Sequence, residues 1–184
     1  MILPIYLYGS EVLRQKAAPA DLAEKEKITK LVSDMEETLA KSEGCGLAAP
    51  QVGESVRILI VDGTGMTDVY PYLAGFKRVM INPVVLEESE KKCEYSEGCL
   101  SIPGIYCDVT RPQSITVEYY NGDFEKVTET LDKFACRMVQ HEMSHLDGDL
   151  FVDHVASIRK KIISKKLMNI AKGKVFARYA TKIK

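Results

Sequence analysis

Two of the three histidines of this chain stand in the pattern His141-Glu142-Met143-Ser144-His145. On a helix, the i, i+4 spacing stacks both imidazoles on one face, where they can share a metal ion. Glu142 then lies beside them, within reach of a water held by that ion. This is a metal-hydrolase pattern, but three fixed positions in five recur by chance, and a third protein ligand is required. The downstream sequence removes the common sources. Metzincin-type proteases continue to a third histidine, and that position is Phe151. A thermolysin-like site takes a later Glu, yet no acidic residue follows Asp153. His154 stays in the set as the weaker option, since it lies past Gly148 and out of phase with the motif. The third ligand is therefore expected upstream, and Cys99, beside Gly98, is the best placed candidate, although spacing alone dismisses neither Cys93 nor Cys107. Two imidazoles and a thiolate leave a fourth position for water, which is a catalytic rather than a structural arrangement.

These side chains need elements to hold them. The pattern predicts a helix from Leu131 to Gly148, capped by Asp132 and ended by Gly148, with Lys133, Arg137, Gln140 and Ser144 as its one polar stripe. Phe134 and Met138 share the histidine face, and the rest is apolar, so this helix is expected to be central and mostly buried. A hairpin from Ser114 to Leu131, turning at Asn121-Gly122, feeds it. Upstream, Ala23 to Ser42 reads as an amphipathic surface helix stopped by Gly44, Arg57 to Asp62 as a strand, Gly63 to Gly75 as a loop, and Val79 to Leu86 as a strand broken by Asn82-Pro83. Two small-residue segments stand out. Gly44-Cys45-Gly46-Leu47-Ala48-Ala49-Pro50-Gln51 and Glu97-Gly98-Cys99-Leu100-Ser101 leave room for close approach of a ligand backbone. Glu97 and Arg111 are expected to pair and hold the EGCLS segment, with a surface ion pair of little energetic effect as the alternative.

A length of 184 residues, 46% of them hydrophobic and 28% charged, fits one domain over 1–184. No stretch is apolar enough to cross a membrane, and the start lacks the basic flank of a signal peptide, so a cytoplasmic protein without a membrane role is expected. Five cysteines without paired spacing argue for reduced thiols. Charge is uneven: 15 basic and 26 acidic residues precede His154, whereas 10 basic and no acidic residues follow Asp153. Over residues 155–184, Val155, Ile158, Ile162, Ile163, Leu167 and Ile170 recur at helical spacing among Lys and Arg up to Gly173. This predicts a basic amphipathic helix and tail suited to a polyanion.

Taken together, GCGLAAPQ, EGCLS and HEMSHLDG, in this order, resemble the three motifs of the peptide deformylase family, and similarity reaches the ILPIYLYGSEVLR opening. The resemblance implies an α+β fold with short antiparallel sheets around the central histidine helix and an outer helix at each end. It also implies that Cys99, His141 and His145 bind one divalent metal, Fe(II) in its native form with zinc, nickel or cobalt as substitutes. The implied reaction removes the formyl group from the N-terminal formylmethionine of new polypeptides and releases formate. Glu142 would serve as base and then acid, with Gln51 and the Leu100 N–H as oxyanion donors. Cys45, Gly46 and Gly98 would flank the substrate, and Phe134 and Met138 would wall the methionine pocket. The basic C-terminal helix would dock on the ribosome, and a monomer is expected. Ser144 departs from the family's usual Asp, which weakens support of the site, and Cys45 from its usual aliphatic residue, which would sensitise the site to thiol reagents. A metallopeptidase with an upstream Cys ligand and a non-catalytic ribosome-binding module with a structural metal are the competing readings.

Overall fold

The computed structural model describes all 184 residues. Its framework is a five-stranded antiparallel sheet in the order β2 (Gly46–Ala48), β3 (Ile58–Asp62), β4 (Lys77–Glu88), β7 (Ser114–Tyr120) and β8 (Lys126–Asp132). Alternation along β3 assigns its two faces. Leu59 and Val61 point into a cluster with Met138, Val139, Met143 and Leu146 of helix α2 (Lys133–Leu146). Ile58 and Ile60 point the other way, into a cluster with Ile28, Val32, Met35 and Leu39 of helix α1 (Lys25–Ser42). The sheet is thus covered by one helix on each face, and α2 is the buried one.

The second side of α2 is closed by a hairpin of β5 (Lys92–Cys99) and β6 (Ile102–Pro112). Its inner residues Ile102, Ile105, Cys107 and Val109 join Phe151, Val152 and Val155 in a third apolar cluster. This hairpin was not expected, because CEYSEGCLS mixes charge with small residues and shows no apolar alternation. The long partner strand β6 supplies the alternation instead, buried and exposed by turns.

Several local features differ from expectation. Helix α1 ends on Glu43, which takes the left-handed conformation at φ 56°, rather than on Gly44. Strand β4 runs through Asn82-Pro83 as a bulge: Asn82 adopts φ 52°, and its amide both accepts from the Ala20 N–H and donates to the Ala20 carbonyl. The hairpin turn spans Asn121 to Glu125, not two residues. Asn121 Oδ1 accepts from the N–H groups of Asp123 and Glu125, and Phe124 takes positive φ. Strand β8 passes directly into α2 through Lys133 at φ 53°. Asp132 sits at the cap position but makes no side-chain cap bond, and the Tyr72 hydroxyl accepts from the first-turn N–H of Phe134 instead. Gly148 does end the helix, at φ 74°, with its backbone against Arg14.

Helix α3 (Ser157–Ala171) is less amphipathic than its spacing suggests. Only Ile163 and Ile170 are buried, whereas Ile158 and Ile162 are 73% and 63% exposed among the basic residues. Beyond Gly173 the chain turns back and β9 (Thr181–Lys182) pairs with β1 (Ile5–Tyr6), in parallel rather than antiparallel fashion. No helix is long and apolar enough to cross a membrane.

Candidate metal centre and active-site cleft

Helix α2 presents Phe134, Met138 and His141 along one face and Glu142 beside it, all lining a cleft of about 1120 Å³. The opposite wall is the β5–β6 hairpin. Its tight turn carries Cys99 to the helix, where Cys99 Sγ lies 3.3 Å from His145 Nε2. The ligand atoms of Cys99, His141 and His145 all lie within 4.8 Å of one another. The other candidates are elsewhere. Cys93 is held at Arg137 through its carbonyl, Cys107 is buried in the hairpin cluster, and the His154 ring pairs with Asp149.

Glu97 organises this centre, a role that the sequence reading did not assign. Its Oε1 accepts from His141 Nδ1 at 2.8 Å, which leaves the lone pair of Nε2 on the side of Cys99 for a metal. Arg111 reaches both Glu97 oxygens at 2.8 and 3.0 Å, and Arg137 Nη1 reaches Oε2 at 2.7 Å. All four residues are buried, so the Glu97–Arg111 pair holds the EGCLS segment as expected, and the weak surface pair that was its alternative does not apply. Burial alone would push the Glu97 carboxyl up, but His141 and Arg111 hold it well below the usual carboxylate range. Three of the four residues of the polar stripe face this seam, and only Lys133 stays in solvent: Arg137 also donates to the carbonyls of Val109 and Cys93, and Gln140 to that of Pro112. Ser144 Oγ accepts from Arg111 at 2.9 Å, so at this departure from the family's Asp the hydroxyl still ties α2 to the buried ion pair.

Burial and neighbouring charges set the electrostatics of this cluster. Burial opposes charge on His141, yet Cys99 and Glu97 raise it to about 10. Burial and the neighbouring charges of His141 and Arg111 drive His145 well below its ordinary value. One cysteine sulfur and two buried imidazoles, with the Glu97 carboxylate behind one of them, form a donor set that suits a divalent cation and that several first-row metals accept. Glu142 is raised to about 7, chiefly by burial, and its Oε2 has no protein partner.

The oxyanion-side candidates meet the same centre. Gln51, 1% exposed, is oriented by the Ala48 N–H on its Oε1, and its Nε2 lies 3.5 Å from Cys99 Sγ and 3.2 Å from Ser101 Oγ. The Leu100 N–H donates to no protein acceptor, while its carbonyl accepts from Tyr179 Oη at 2.7 Å. Phe134 stacks on Tyr70 with ring centres 4.6 Å apart, and Met138 is buried beside it. The two glycines serve protein packing first. A Cβ on Gly46 would sit 2.8 Å from Glu142 Cδ, and one on Gly98 would sit 2.5 Å from the Tyr106 ring. The Cys45 thiol is pushed up to about 12 by burial and the Glu142 charge, which keeps it protonated near neutral pH and counters the expected sensitivity to thiol reagents.

This geometry is accompanied by a family match. The profile for polypeptide deformylase matches residues 2–161. The chain belongs to the peptide deformylase family. It is 41% identical to the peptide deformylase of Christiangramia forsetii over 97% of this chain and 94% of that one. It is also 41% identical to that of Flavobacterium johnsoniae, over 99% and 96%. The solved Plasmodium falciparum peptide deformylase superposes with a TM-score of 0.82 at 31% identity, covering 92% of this chain and 95% of that one. The α+β fold expected from the motifs is that of the family, and the metallopeptidase alternative gains no support from any of these relatives.

Proposed function

We propose that Cys99, His141 and His145 hold the single divalent metal of this deformylase, with Glu142 as its proton-transfer group. The family reaction is hydrolysis of the formyl group from the N-terminal formylmethionine of new polypeptides. The observation that carries the assignment is the convergence of those three ligand atoms within 4.8 Å, beside a buried carboxylate poised near 7. When bound, the ion supplies Lewis-acid polarisation of the formyl oxygen and makes a water acidic enough to attack near neutral pH. Glu142 would take a proton from the attacking water as the water oxygen bonds to the formyl carbon. As the C–N bond breaks, Glu142 returns the proton to the departing amine, giving formate and a free amino terminus. The Gln51 side-chain amide and the Leu100 N–H donate to the oxygen that gains charge, and one such donor is worth about 10²–10³ in kcat. Phe134 and Met138 form the apolar wall for the methionine side chain, and Cys45, Gly46 and Gly98 border the peptide. Fe(II) is the proposed resident ion, with zinc, nickel or cobalt able to take its place.

Glu142→Gln is expected to retain metal and lose formate release from a formyl-Met peptide, and Cys99→Ser to weaken metal binding. Full activity in either removes the assignment. Cleavage of unformylated peptides would favour a peptidase instead. Residues 1–184 act as one domain in this reading, a cytoplasmic monomer whose basic segment 155–184 meets the ribosome. Exposed Ile158 and Ile162 among Arg159, Lys160, Lys161, Lys165 and Lys166 support that contact. Charge reversal at Lys160, Lys161, Lys165 and Lys166 leaves buried Ile163 and Ile170 in place and is expected to abolish salt-sensitive co-sedimentation with ribosomes. Unchanged co-sedimentation would exclude it.

A further inference from the structure

The last eleven residues have no part in the chemistry above, yet the fold brings them back to the cleft. The Ile5 N–H donates to the Ala180 carbonyl at 2.9 Å and the Leu7 N–H to that of Lys182 at 2.8 Å, tying the tail along β1. Tyr179 Oη, on the carbonyl of Leu100, fixes the tail a second time, one residue from Cys99. After Gly173, Phe176, Ala177, Arg178 and Tyr179 all line the cleft that Gly98 and Tyr106 also line.

The volume of about 1120 Å³ exceeds what small-ligand pockets usually enclose, roughly 300–1,000 Å³, so a formylmethionyl group leaves part of it for the residues that follow. Two arginines line it. Arg137 is buried and committed to Glu97. Arg178 is exposed and has no ion-pair or hydrogen-bond partner. Four carboxylates also line the cleft: Glu97 is fully engaged, Glu142 is buried at the reaction centre, Asp62 is held by Lys77 at 2.8 Å, and Glu43 sits on the rim, not paired to Arg178. Arg178 is therefore the one cation of this cleft free to meet a substrate carboxylate.

We infer that the C-terminal segment 176–179 is a wall of the peptide-binding cleft, in which Arg178 is a specificity-determining residue that favours substrates with an acidic side chain just after the formylmethionine. This rests on the deformylase reading. Tyr179 is the strut that positions it, and Phe176, 83% exposed at the same wall, offers an apolar face to the neighbouring peptide residue. An ion pair of this kind is partly exposed, so its effect is modest and fades with salt.

The test uses the metal-loaded full-length protein and formyl-Met peptides that differ only in Glu or Lys at the second and third residues, at low ionic strength. The ratio of kcat/KM for the Glu over the Lys peptides is expected to fall about 3-fold in Arg178→Ala and about 10-fold in Arg178→Glu, carried by KM and suppressed at high salt. Lys174→Glu makes the same charge change on the same tail at a residue that does not line the cleft, and should leave that ratio near its starting value. Formate release with a ratio unmoved by Arg178→Glu, or moved equally by Lys174→Glu, overturns the inference while leaving the deformylase reading intact. Absence of formate from every peptide removes that reading, and this inference with it.

Discussion

Gly46 is the position at which one methyl group should separate catalysis from metal binding. Its Cβ would lie 2.8 Å from Cδ and 2.9 Å from Cγ of Glu142, and nearer still to Oε1, where ordinary contacts begin at 3.4 Å. Glu142 is 4% exposed between helix α2 and strand β2, so it cannot swing into solvent. Gly46 has no left-handed φ, and Ala is therefore acceptable to the backbone. The conflict is confined to the carboxylate, which must move by about 0.5–1 Å. A misplacement of about 1 Å typically costs about 10²-fold, so Gly46→Ala is expected to lower kcat by about 30- to 100-fold, equivalent to about 2–3 kcal/mol of barrier. Overpacking should also lower stability by about 1–3 kcal/mol. Formate release, metal stoichiometry and thermal unfolding, measured together, distinguish these effects. The three metal ligands are untouched, so stoichiometry should hold. Glu142→Asp, one methylene shorter, should be less harmful in the Gly46→Ala background than in the parent, a favourable coupling in a double-mutant cycle. Turnover within about 3-fold of the parent, or loss of metal as the cause of inactivity, would refute the reasoning.

Glu97→Gln should be among the most destabilising conservative changes, about 3–5 kcal/mol by denaturant titration, because it leaves Arg111 and Arg137 buried without their anion. The same change should weaken metal binding about 10- to 100-fold, through loss of the charged partner of His141 Nδ1. Removal of the metal by a chelator should lower Tm, since an ion at about 1,000 times its Kd contributes about 4 kcal/mol, and scanning calorimetry with and without added metal measures it. Gly148→Ala should destabilise by more than 1 kcal/mol, as φ 74° disfavours Ala and its Cβ would meet the Arg14 carbonyl at 2.5 Å. Acid should weaken the Arg78–Glu129 pair. Burial opposes the Glu129 charge, but Arg78 and Tyr119 hold its pKa below 4.5, so this stability is present above pH 4.5 and is lost as pH falls through the depressed value. Glu129→Gln should flatten that limb of the stability profile.

How much was legible depended on the range of the interaction. Periodicity gave helix α1 within two residues, strand β3, the pairing of β7 with β8, and the side of α2 that carries His141, Glu142 and His145, because each is written in neighbours two to four residues apart. The exclusions were equally local: Phe151 in place of a histidine and no acid after Asp153 sent the search for a third ligand upstream. Periodicity did not foresee the bulge at Asn82-Pro83, whose left-handed residue is held by Ala20, 62 positions away. Nor did it foresee that Arg137, part of an apparently polar stripe, is 2% exposed. Those outcomes depend on which surfaces meet. Helix α2 alone specifies two imidazoles and a carboxylate in register. Only the packing of the β5–β6 hairpin against it brings Cys99 to within 3.3 Å of His145, sets Glu97 on His141 across 44 positions, and gives Tyr179 of the tail its anchor on the Leu100 carbonyl. The order of side chains along a helix follows from its own hydrogen-bond geometry, whereas a ligand set drawn from two elements exists only once their apolar faces have been buried together.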